Sequence, residues 1–257
     1  MLFSVLGPLV ISGDDDEEIP VRQLKQRQLL AALALYSAEY LSTESLAGLV
    51  WGQELSANPG TVRTQVWALR REPFLASRIA RDQRGYRLCV RSGELDADNF
   101  SALATAGLRH LAESEIAEAA TVLSQALGMW RDPPLADIPE TPGMSPTRER
   151  LLAERAAAED AQITAALMLR QHQQVLGVLR ERVTREPQRE QSWAQLMLAL
   201  YRCCRRADAL DTYTRARKKL ATHYGIEPGP QLRRMHELIL RDDRALDASS
   251  AAEPELL

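Results

Sequence analysis

The sequence of 257 residues has few of the features that mark secreted, membrane-spanning or disulfide-stabilised proteins. Aromatic residues make up only 5% of the chain, and no apolar run approaches the roughly 20 residues that a transmembrane helix needs. The first residues lack the basic segment that opens a signal peptide. There are three cysteines, and two of them, Cys203 and Cys204, are adjacent, so a framework of disulfides is not expected. These absences predict a cytoplasmic protein that does not bind membranes.

Motifs of catalysis are missing as well. The sequence contains no Gly-rich phosphate loop, no Gly-x-Ser-x-Gly nucleophile motif and no His-Glu-x-x-His zinc motif. The histidines lie far apart, at spacings that do not suit a shared metal ion: His110, His172, His223 and His236. We therefore expect neither an enzyme nor a cofactor or metal site.

The net charge of −3 conceals a basic segment near the start of the chain. Between Pro20 and Ser92 there are 11 Arg or Lys residues against 5 Asp or Glu, directly after the acidic cluster at residues 14–18. Nucleic acid responds to local charge, because salt screens interactions beyond about 10 Å. The charge distribution therefore permits DNA binding by residues 20–92.

Residues 1–92 combine strand and helix patterns in a characteristic order. Short apolar runs at 2–6, 9–11 and 19–21 predict a small antiparallel sheet. Helices are predicted at 24–36, from the cap at Ser42 and Thr43 to Trp51, and at 61–71, where Pro73 would close the third helix. Arg84 and Gly85 then lie between two strand-like stretches, as in a hairpin turn. Strands, three helices and a hairpin with a basic tip indicate a winged helix-turn-helix domain of the α+β class.

The rest of the chain predicts helices only, so the protein as a whole should be mainly α. The expected helices lie at about 145–170, 173–185, 190–204, 206–224 and 230–241, after two earlier ones and an irregular proline-rich stretch at 132–146. Large and small side chains alternate around residues 193–216 as in a tetratricopeptide-type repeat. We therefore predict an all-α, tetratricopeptide-like helical repeat domain at 98–241 and a disordered tail at 242–257.

The third predicted helix carries the candidate DNA-reading residues. Val62, Val66 and Leu69 form an apolar face that should pack on the core. The opposite face presents side chains suited to the major groove, where Arg bonds guanine and Thr touches a thymine methyl. The candidates are Arg63, Thr64, Trp67, Ala68, Arg70 and Arg71. The alternative for Arg70 and Arg71 is that they only complement the dipole at the helix end.

Other basic and polar groups are candidates for contacts outside the major groove. At the tip of the hairpin, Arg81, Arg84 and Gly85 would place a guanidinium in the adjoining minor groove. Phosphate contacts are predicted for Lys25, Arg27 and the free amides at Ser42 and Thr43, which would position the protein without reading sequence.

The chain resembles the Streptomyces antibiotic regulatory proteins in their short form, with a winged-helix domain followed by a bacterial transcriptional activator domain. The resemblance extends over roughly residues 2–241. In the first ninety residues it is carried by Leu6-Gly7-Pro8-Leu9, Leu49-Val50-Trp51-Gly52, Thr61-Val62, Leu69-Arg70-Arg71 and Gly85-Tyr86-Arg87-Leu88. Further on it is carried by Trp130-Arg131, Pro134-Leu135-Ala136-Asp137, Arg189-Glu190, residues 196–202, Ala209-Leu210 with Tyr213, and residues 225–232.

The resemblance implies a transcriptional activator of secondary-metabolite (antibiotic) gene clusters. Such regulators bind direct repeats near the −35 region of promoters, side by side on one face of the DNA, and recruit RNA polymerase. Their DNA-binding domain is similar to the output domain of response regulators, in which the loop after the second helix touches the sigma factor. Here that loop begins with Gly52, Gln53, Glu54 and Leu55. Ala68 replaces an arginine found in many relatives, which implies a different base preference and a larger role for Trp67.

Two other functions remain open from the sequence. The helical domain could bind a small molecule or peptide and so gate DNA binding, in which case polar residues should line an enclosed pocket. Alternatively, the protein could be an interaction scaffold whose winged-helix domain no longer binds DNA, which would make any DNA binding weak and insensitive to salt.

Overall fold

The computed structural model describes residues 2–13, 15, 17–52 and 59–246, and these residues form a mainly helical protein. Its strands are β1 (Phe3–Ser4), β2 (Val10–Ile11), β3 (Ile79–Asp82) and β4 (Gly85–Leu88). Its helices are α1 (Leu24–Leu35), α2 (Thr43–Trp51), α3 (Pro59–Leu69), α4 (Pro73–Arg78), α5 (Asp96–Ala112), α6 (Ile116–Leu127), α7 (Ser145–Met168), α8 (His172–Arg185), α9 (Glu190–Arg202), α10 (Arg206–Tyr224) and α11 (Pro230–Arg241), followed by a 3₁₀ turn at Arg244–Leu246.

Two compact units are present. The first unit combines the residues up to Arg109 with Thr121–Glu159, and the second combines His110–Ala120 with the residues from Asp160 onward. The sequence predicted a domain boundary between residues 92 and 98. That division rests on the sequence pattern, whereas the two units are defined by contacts, so it stays a prediction. The disordered tail was predicted at 242–257, but its first residues form the 3₁₀ turn at Arg244–Leu246, and Leu246 is buried. Residues 247–257 lie outside the described residues.

The first unit contains the predicted winged helix. Helices α1, α2 and α3 pack on one another, and Ser42 caps α2 by accepting the Ser45 amide at 3.0 Å. The third helix has the predicted length but lies two residues earlier, since it runs from Pro59 to Leu69 and leaves Arg71 in the following turn. The prediction that Pro73 only closes this helix is wrong. Pro73 opens the short helix α4 instead, since its fixed φ and missing N–H suit the first helical position.

The hairpin of β3 and β4, hereafter the wing, is joined to the residue that precedes the cap of α2. The Leu41 amide donates to the Tyr86 carbonyl at 2.8 Å, and the Tyr86 amide donates back at 2.9 Å. Gly85 has a φ of +137°, and a Cβ built there would lie 1.9 Å from the Leu41 carbonyl oxygen. Only glycine fits this position, because its backbone touches the neighbouring strand segment.

The N-terminal strands are held by residues distant in the sequence. Asp96 opens α5 with a carboxylate that is only 2% exposed and accepts the amides of Val5 at 2.8 Å and Leu6 at 3.0 Å. On the other side of the same segment, the Leu6 and Val5 carbonyls accept the amides of Arg131 at 2.9 Å and Leu135 at 3.0 Å. The segment at residues 5 and 6 therefore connects the winged helix to α5 and to the stretch after α6.

The proline-rich stretch between α6 and α7 has no regular secondary structure, as predicted, and is ordered by side chains. Buried Arg148 donates to the carbonyls of Leu135 at 3.0 Å and Ile138 at 2.8 Å. Farther along, Thr141 donates to the Leu49 carbonyl at 2.7 Å, near the end of α2. This stretch therefore packs directly against the winged helix within the first unit.

In the second unit, α9 is the central helix and packs against α8, α10 and α11. The large residues Trp193 and Met197 are buried on α9, and the small residues Ala209 and Ala216 are fully buried on α10. This is the packing of large against small side chains that the tetratricopeptide-like pattern predicts. The observed bounds of α8 to α11 differ from the predicted ones by at most two residues.

We expect Gly85→Ala to lower the free energy of unfolding by about 2 kcal/mol or more, because the added Cβ meets the Leu41 carbonyl and the φ is strained for any L-residue. The matched control is Gly48→Ala, since Gly48 lies in α2 with open space around its Cβ position. Alanine there should raise stability by about 0.5–1 kcal/mol. Urea unfolding followed by circular dichroism measures both, and equal stabilities would contradict the close contact at Gly85.

A buried ion pair gives a second prediction. Arg78 bonds both carboxylate oxygens of Glu94, at 2.8 and 3.0 Å. Burial tends to raise the pKa of Glu94, but the Arg91 amide and the Arg78 guanidinium outweigh it, so this pKa lies below its ordinary value of 4.5. A lowered folded-state pKa stabilises the protein above the ordinary value, and this stability is lost as the pH falls through the lowered one.

We therefore expect Glu94→Gln to cost about 3 kcal/mol near neutral pH, because Arg78 keeps a buried charge without its anionic partner. The loss should shrink in acid, where the wild-type carboxyl is also neutral. Glu149→Gln, at an exposed position of the same unit, is the control and should change stability little. An equal loss at neutral and acid pH would mean that shape rather than charge makes Glu94 important.

Candidate DNA-binding surface

Helix α3 has one buried and one exposed face, as predicted. Val62, Val66 and Leu69 are 0–3% exposed and fix the helix to the core of the first unit. Arg63, Thr64 and Trp67 are exposed on the other face. At 65%, Trp67 is the most exposed of the large hydrophobic side chains among the described residues. An indole exposed to this extent is available for contact with a partner, since it has both an apolar ring and an N–H donor.

Trp67 is paired with a cation on the same surface. The Arg71 guanidinium carbon lies 5.5 Å from the centre of the indole ring, in the range of a cation–π contact. Arg71 is exposed although it lies in the turn after α3. The pair combines a flat apolar surface with a fixed positive charge, which suits a nucleic-acid base or sugar beside a phosphate.

Three other candidates, two on α3 and one in the turn after it, are less free. Arg70 is half-buried and donates from its Nη2 to the Ile79 carbonyl of β3, so part of its guanidinium is engaged within the fold. Thr64 donates its hydroxyl to the Gly60 carbonyl at 2.9 Å and keeps its methyl group and its acceptor lone pairs for a partner. Ala68 is half-buried. Contacts of these three residues with DNA stay predictions.

The wing presents three arginines, each beside a tyrosine ring. Arg84 is 71% exposed and bonds the Asp82 carboxylate at 2.8 Å. Its guanidinium also lies 4.3 Å from the ring centre of Tyr40, and that of Arg87 lies 4.7 Å from the same ring. Arg81 is exposed and lies over Tyr86 at 5.7 Å. The wing thus carries a group of cations whose orientation is set by aromatic rings.

Tyr40 and Arg87 were not among the sequence candidates. Arg87 could have been found from the alternation along β4, where Tyr86 and Leu88 are buried and Arg87 points the other way. Tyr40 had no such signal, because it lies in the loop between α1 and α2 and is brought to the wing by the pairing of the adjacent Leu41 with Tyr86.

The N-terminus of α2 already holds a negative charge. The Ser42 hydroxyl accepts the Ser45 amide, and Thr43 opens the helix. Glu44 follows, and its own backbone amide, the Ser42 hydroxyl and the charge of Arg63 lower the pKa of its carboxyl. A phosphate approaching the predicted site at Ser42 and Thr43 would therefore meet an ionised carboxylate as well as free amides.

Of the two basic candidates on α1, only one is accessible. Lys25 is exposed. Arg27 instead forms an ion pair with Asp137 and donates to the carbonyls of Val21 at 3.0 Å and Leu9 at 2.6 Å. These bonds engage the donors of Arg27 within the first unit and disfavour the predicted phosphate contact, which stays a prediction.

Only the start of the predicted polymerase-contact loop lies within the described residues. Gly52 ends α2 with a φ of +71°, and its amide donates to the Gly48 carbonyl. Gln53, Glu54 and Leu55 lie outside the described residues. The last turn of α2 is buttressed by Thr141, through its bond to the Leu49 carbonyl.

Two further features bear on the range of functions. In the described part of the chain, His110, Glu113 and Glu115 bring potential metal ligands within 4.8 Å of one another, on a surface where such groups commonly occur without an ion. Within the same part, no helix combines the length and the apolar character needed to cross a membrane.

Comparison with known proteins agrees with this architecture. The family profile of the bacterial transcriptional activator domain matches residues 95–240. The transcriptional regulatory protein EmbR of Mycobacterium tuberculosis is 31% identical over 259 residues, which cover 98% of this chain and 66% of EmbR. The chain thus spans slightly less than two thirds of that relative. The regulatory protein DnrI of Streptomyces peucetius is 29% identical, over 99% of this chain and 97% of DnrI.

A solved structure is similar along almost the whole chain. The structure of Mycobacterium tuberculosis EmbR, in complex with a low-affinity phosphopeptide, superposes with a TM-score of 0.87 and 29% identity and covers 98% of this chain and 69% of that one. The winged helix, the helical repeat and the matched domain lead to one conclusion. The chain belongs to the Streptomyces antibiotic regulatory protein family of transcriptional regulators.

Proposed function

We propose that this regulator is a sequence-specific, DNA-binding transcriptional activator that inserts α3 into the major groove. The observation that supports this most directly is the exposed face of α3, where Arg63, Thr64 and Trp67 stand opposite a fully buried apolar face. An α-helix fits the major groove, and these side chain types can bond or touch base edges there. Arg71, stacked on Trp67, lies within reach of the neighbouring phosphates or bases.

The wing would contact the adjoining minor groove. Arg84 is exposed, and Tyr40 and Asp82 fix the direction of its guanidinium. An arginine held in this way loses little side-chain freedom on binding, and the negative potential of a narrow minor groove attracts it. Arg81 and the glycine at position 85 complete the tip.

The family resemblance supports a proposal for the biological role. We propose that the protein activates promoters of a secondary-metabolite gene cluster by binding direct repeats near the −35 region, with copies side by side on one face of the DNA. The segment that begins at Gly52 would contact the sigma factor of RNA polymerase. Support comes from the resemblance in both parts of the chain and from relatives such as DnrI that are named regulators.

Single substitutions on the exposed surface test the proposal. The binding site is first obtained by selection from randomised duplexes with the wild-type protein, and affinities are then measured on that site. Arg71→Ala and Trp67→Ala should each weaken specific binding by roughly tenfold or more, since a good base contact contributes about 1–3 kcal/mol. Arg84→Ala should weaken binding to all sequences and lower the salt slope by about one.

Arg109→Ala is the matched control, because Arg109 is an exposed arginine of α5 in the same unit. It should leave affinity unchanged. Selection that yields a direct repeat, followed by polymerase-dependent transcription from a promoter carrying it, would support the activator role. Weak binding that ignores both salt and sequence would contradict the proposal and favour the scaffold alternative.

For Glu44 we expect a substitution to strengthen DNA binding rather than weaken it. Its ionised carboxyl lies at the N-terminus of α2 and interacts with Arg63, so it should repel the DNA backbone. We expect Glu44→Gln to strengthen DNA binding by roughly two- to fivefold at low salt, the effect of one charge at a helix terminus. The gain should disappear at high salt. Unchanged or weaker binding at low salt would place this end of α2 away from the DNA.

A further inference from the structure

The second unit contains a cavity of about 410 Å³ between α8, α9 and α10. Its floor consists of Val183, Trp193 and Leu196, which pack in the core of that unit. The Trp193 indole is fixed by a hydrogen bond from its Nε1 to the Pro187 carbonyl at 2.9 Å. This bond holds one wall of the cavity in place, and the size of the cavity falls in the usual range for small-molecule sites.

The walls of the cavity are basic. On α10 the lining residues recur at helical spacing on one face, and α8 contributes a shorter stripe with the same spacing. Among the described residues that line the cavity there is no Asp or Glu, whereas the following basic residues are present: Arg180, Arg215, Lys218, Lys219 and His223.

Most of this positive charge lacks a counter-charge. Arg215 pairs with Asp211 at 3.2 Å and donates to the Thr212 hydroxyl. Within the described residues, Arg180, Lys218 and Lys219 have no carboxylate within ion-pair distance. Like charges placed together repel one another, and an anion bound among them relieves this repulsion.

The long side chains give the site two kinds of surface. Lys and Arg lay aliphatic stems along apolar surface and direct their charged ends to water. By this rule, the stems of the lining Lys and Arg residues would extend the apolar floor, and their charged ends would surround the mouth. We propose that this cavity binds a small molecule with an apolar body and an anionic group, such as a carboxylate, sulfonate or phosphate.

A small molecule suits the site better than a nucleic acid does. A phosphate backbone binds along an extended row of cations and would make no contact with the apolar floor of a closed-ended cavity. An acidic peptide is the closest competitor, because it could lay a single side chain in the cavity, and the experiment distinguishes it. The proposal concerns the second unit alone and does not rest on DNA binding by the first.

A matched pair of fluorescent probes tests the site. Anilinonaphthalene sulfonate has an apolar ring system and one anionic group, and N-phenylnaphthylamine is the same ring system without the sulfonate. Titration of the intact chain should show saturable binding of the sulfonate with one site per chain. The neutral probe should bind at least about tenfold more weakly, because it forgoes the charge-assisted contacts.

Replacing a lining Lys or Arg with Met keeps an aliphatic side chain and removes its charge, which tests whether the probe binds in the cavity. Lys219→Met and Arg180→Met should each weaken sulfonate binding by about five- to tenfold and leave the neutral probe unaffected. Arg234→Met is the control, since Arg234 is an exposed arginine of α11 that does not line the cavity. Thr222→Trp, which fills the mouth, should abolish binding of both probes, and circular dichroism should show all four variants folded.

Three results would overturn the proposal. The first is equal binding of the charged and neutral probes, and the second is sulfonate binding that Lys219→Met, Arg180→Met and Thr222→Trp all leave intact. The third is binding of a polyglutamate peptide at the cavity, sensitive to the same variants, with no binding of the sulfonate. That last outcome would assign the site to an acidic peptide.

Discussion

The first unit depends on the way the backbone at Val5 and Leu6 is held from both sides. The amides of these residues bond the buried carboxylate of Asp96, and their carbonyls accept the amides of Arg131 and Leu135. Burial raises the pKa of Asp96, and the amides together with Arg131 offset part of that cost. A short N-terminal strand pair, which would be marginal by itself, thereby becomes part of a packed unit.

This arrangement explains why two distant family strings occur together. The segment Leu6-Gly7-Pro8-Leu9 meets the segments around Arg131 and Asp137, and a Cβ on Gly7 would lie 3.0 Å from the Cβ of Arg131. Arg27 of α1 completes the contact through its pair with Asp137. Residues that a reader of the sequence assigns to separate domains are thus bonded within one compact body.

The sequence predicted the helices of the second unit well, because long periodic stripes such as the one through Trp193, Met197 and Leu200 report burial directly. The prediction from sequence failed where one local pattern is compatible with two structures. Pro73 suits a helix start as well as a stop, and the sequence does not say which.

The candidate surface shows the same contrast. Local periodicity sufficed for the exposed face of α3, including Trp67 and Arg63. The partners of Arg27 and of Arg84, namely Asp137 and Tyr40, are brought near only by the tertiary fold. Side chain type and spacing were therefore enough to identify candidate basic residues. They could not distinguish an arginine that stabilises the fold from one that is available to bind DNA.

The bond between the wing and Leu41 has a consequence for how promoters can vary. Leu41 precedes the cap of α2, and its backbone packs so closely against Gly85 that there is no room for a Cβ between them. The wing tip and the helices behind it thus form one rigid body and do not move independently of each other. On the proposed function, this body cannot adjust to differences in the spacing between the major and minor grooves. Differences in groove width among binding sites must then be absorbed by bending and twisting of the DNA, so that stiffness of the bases between the contacted positions becomes part of the recognition code.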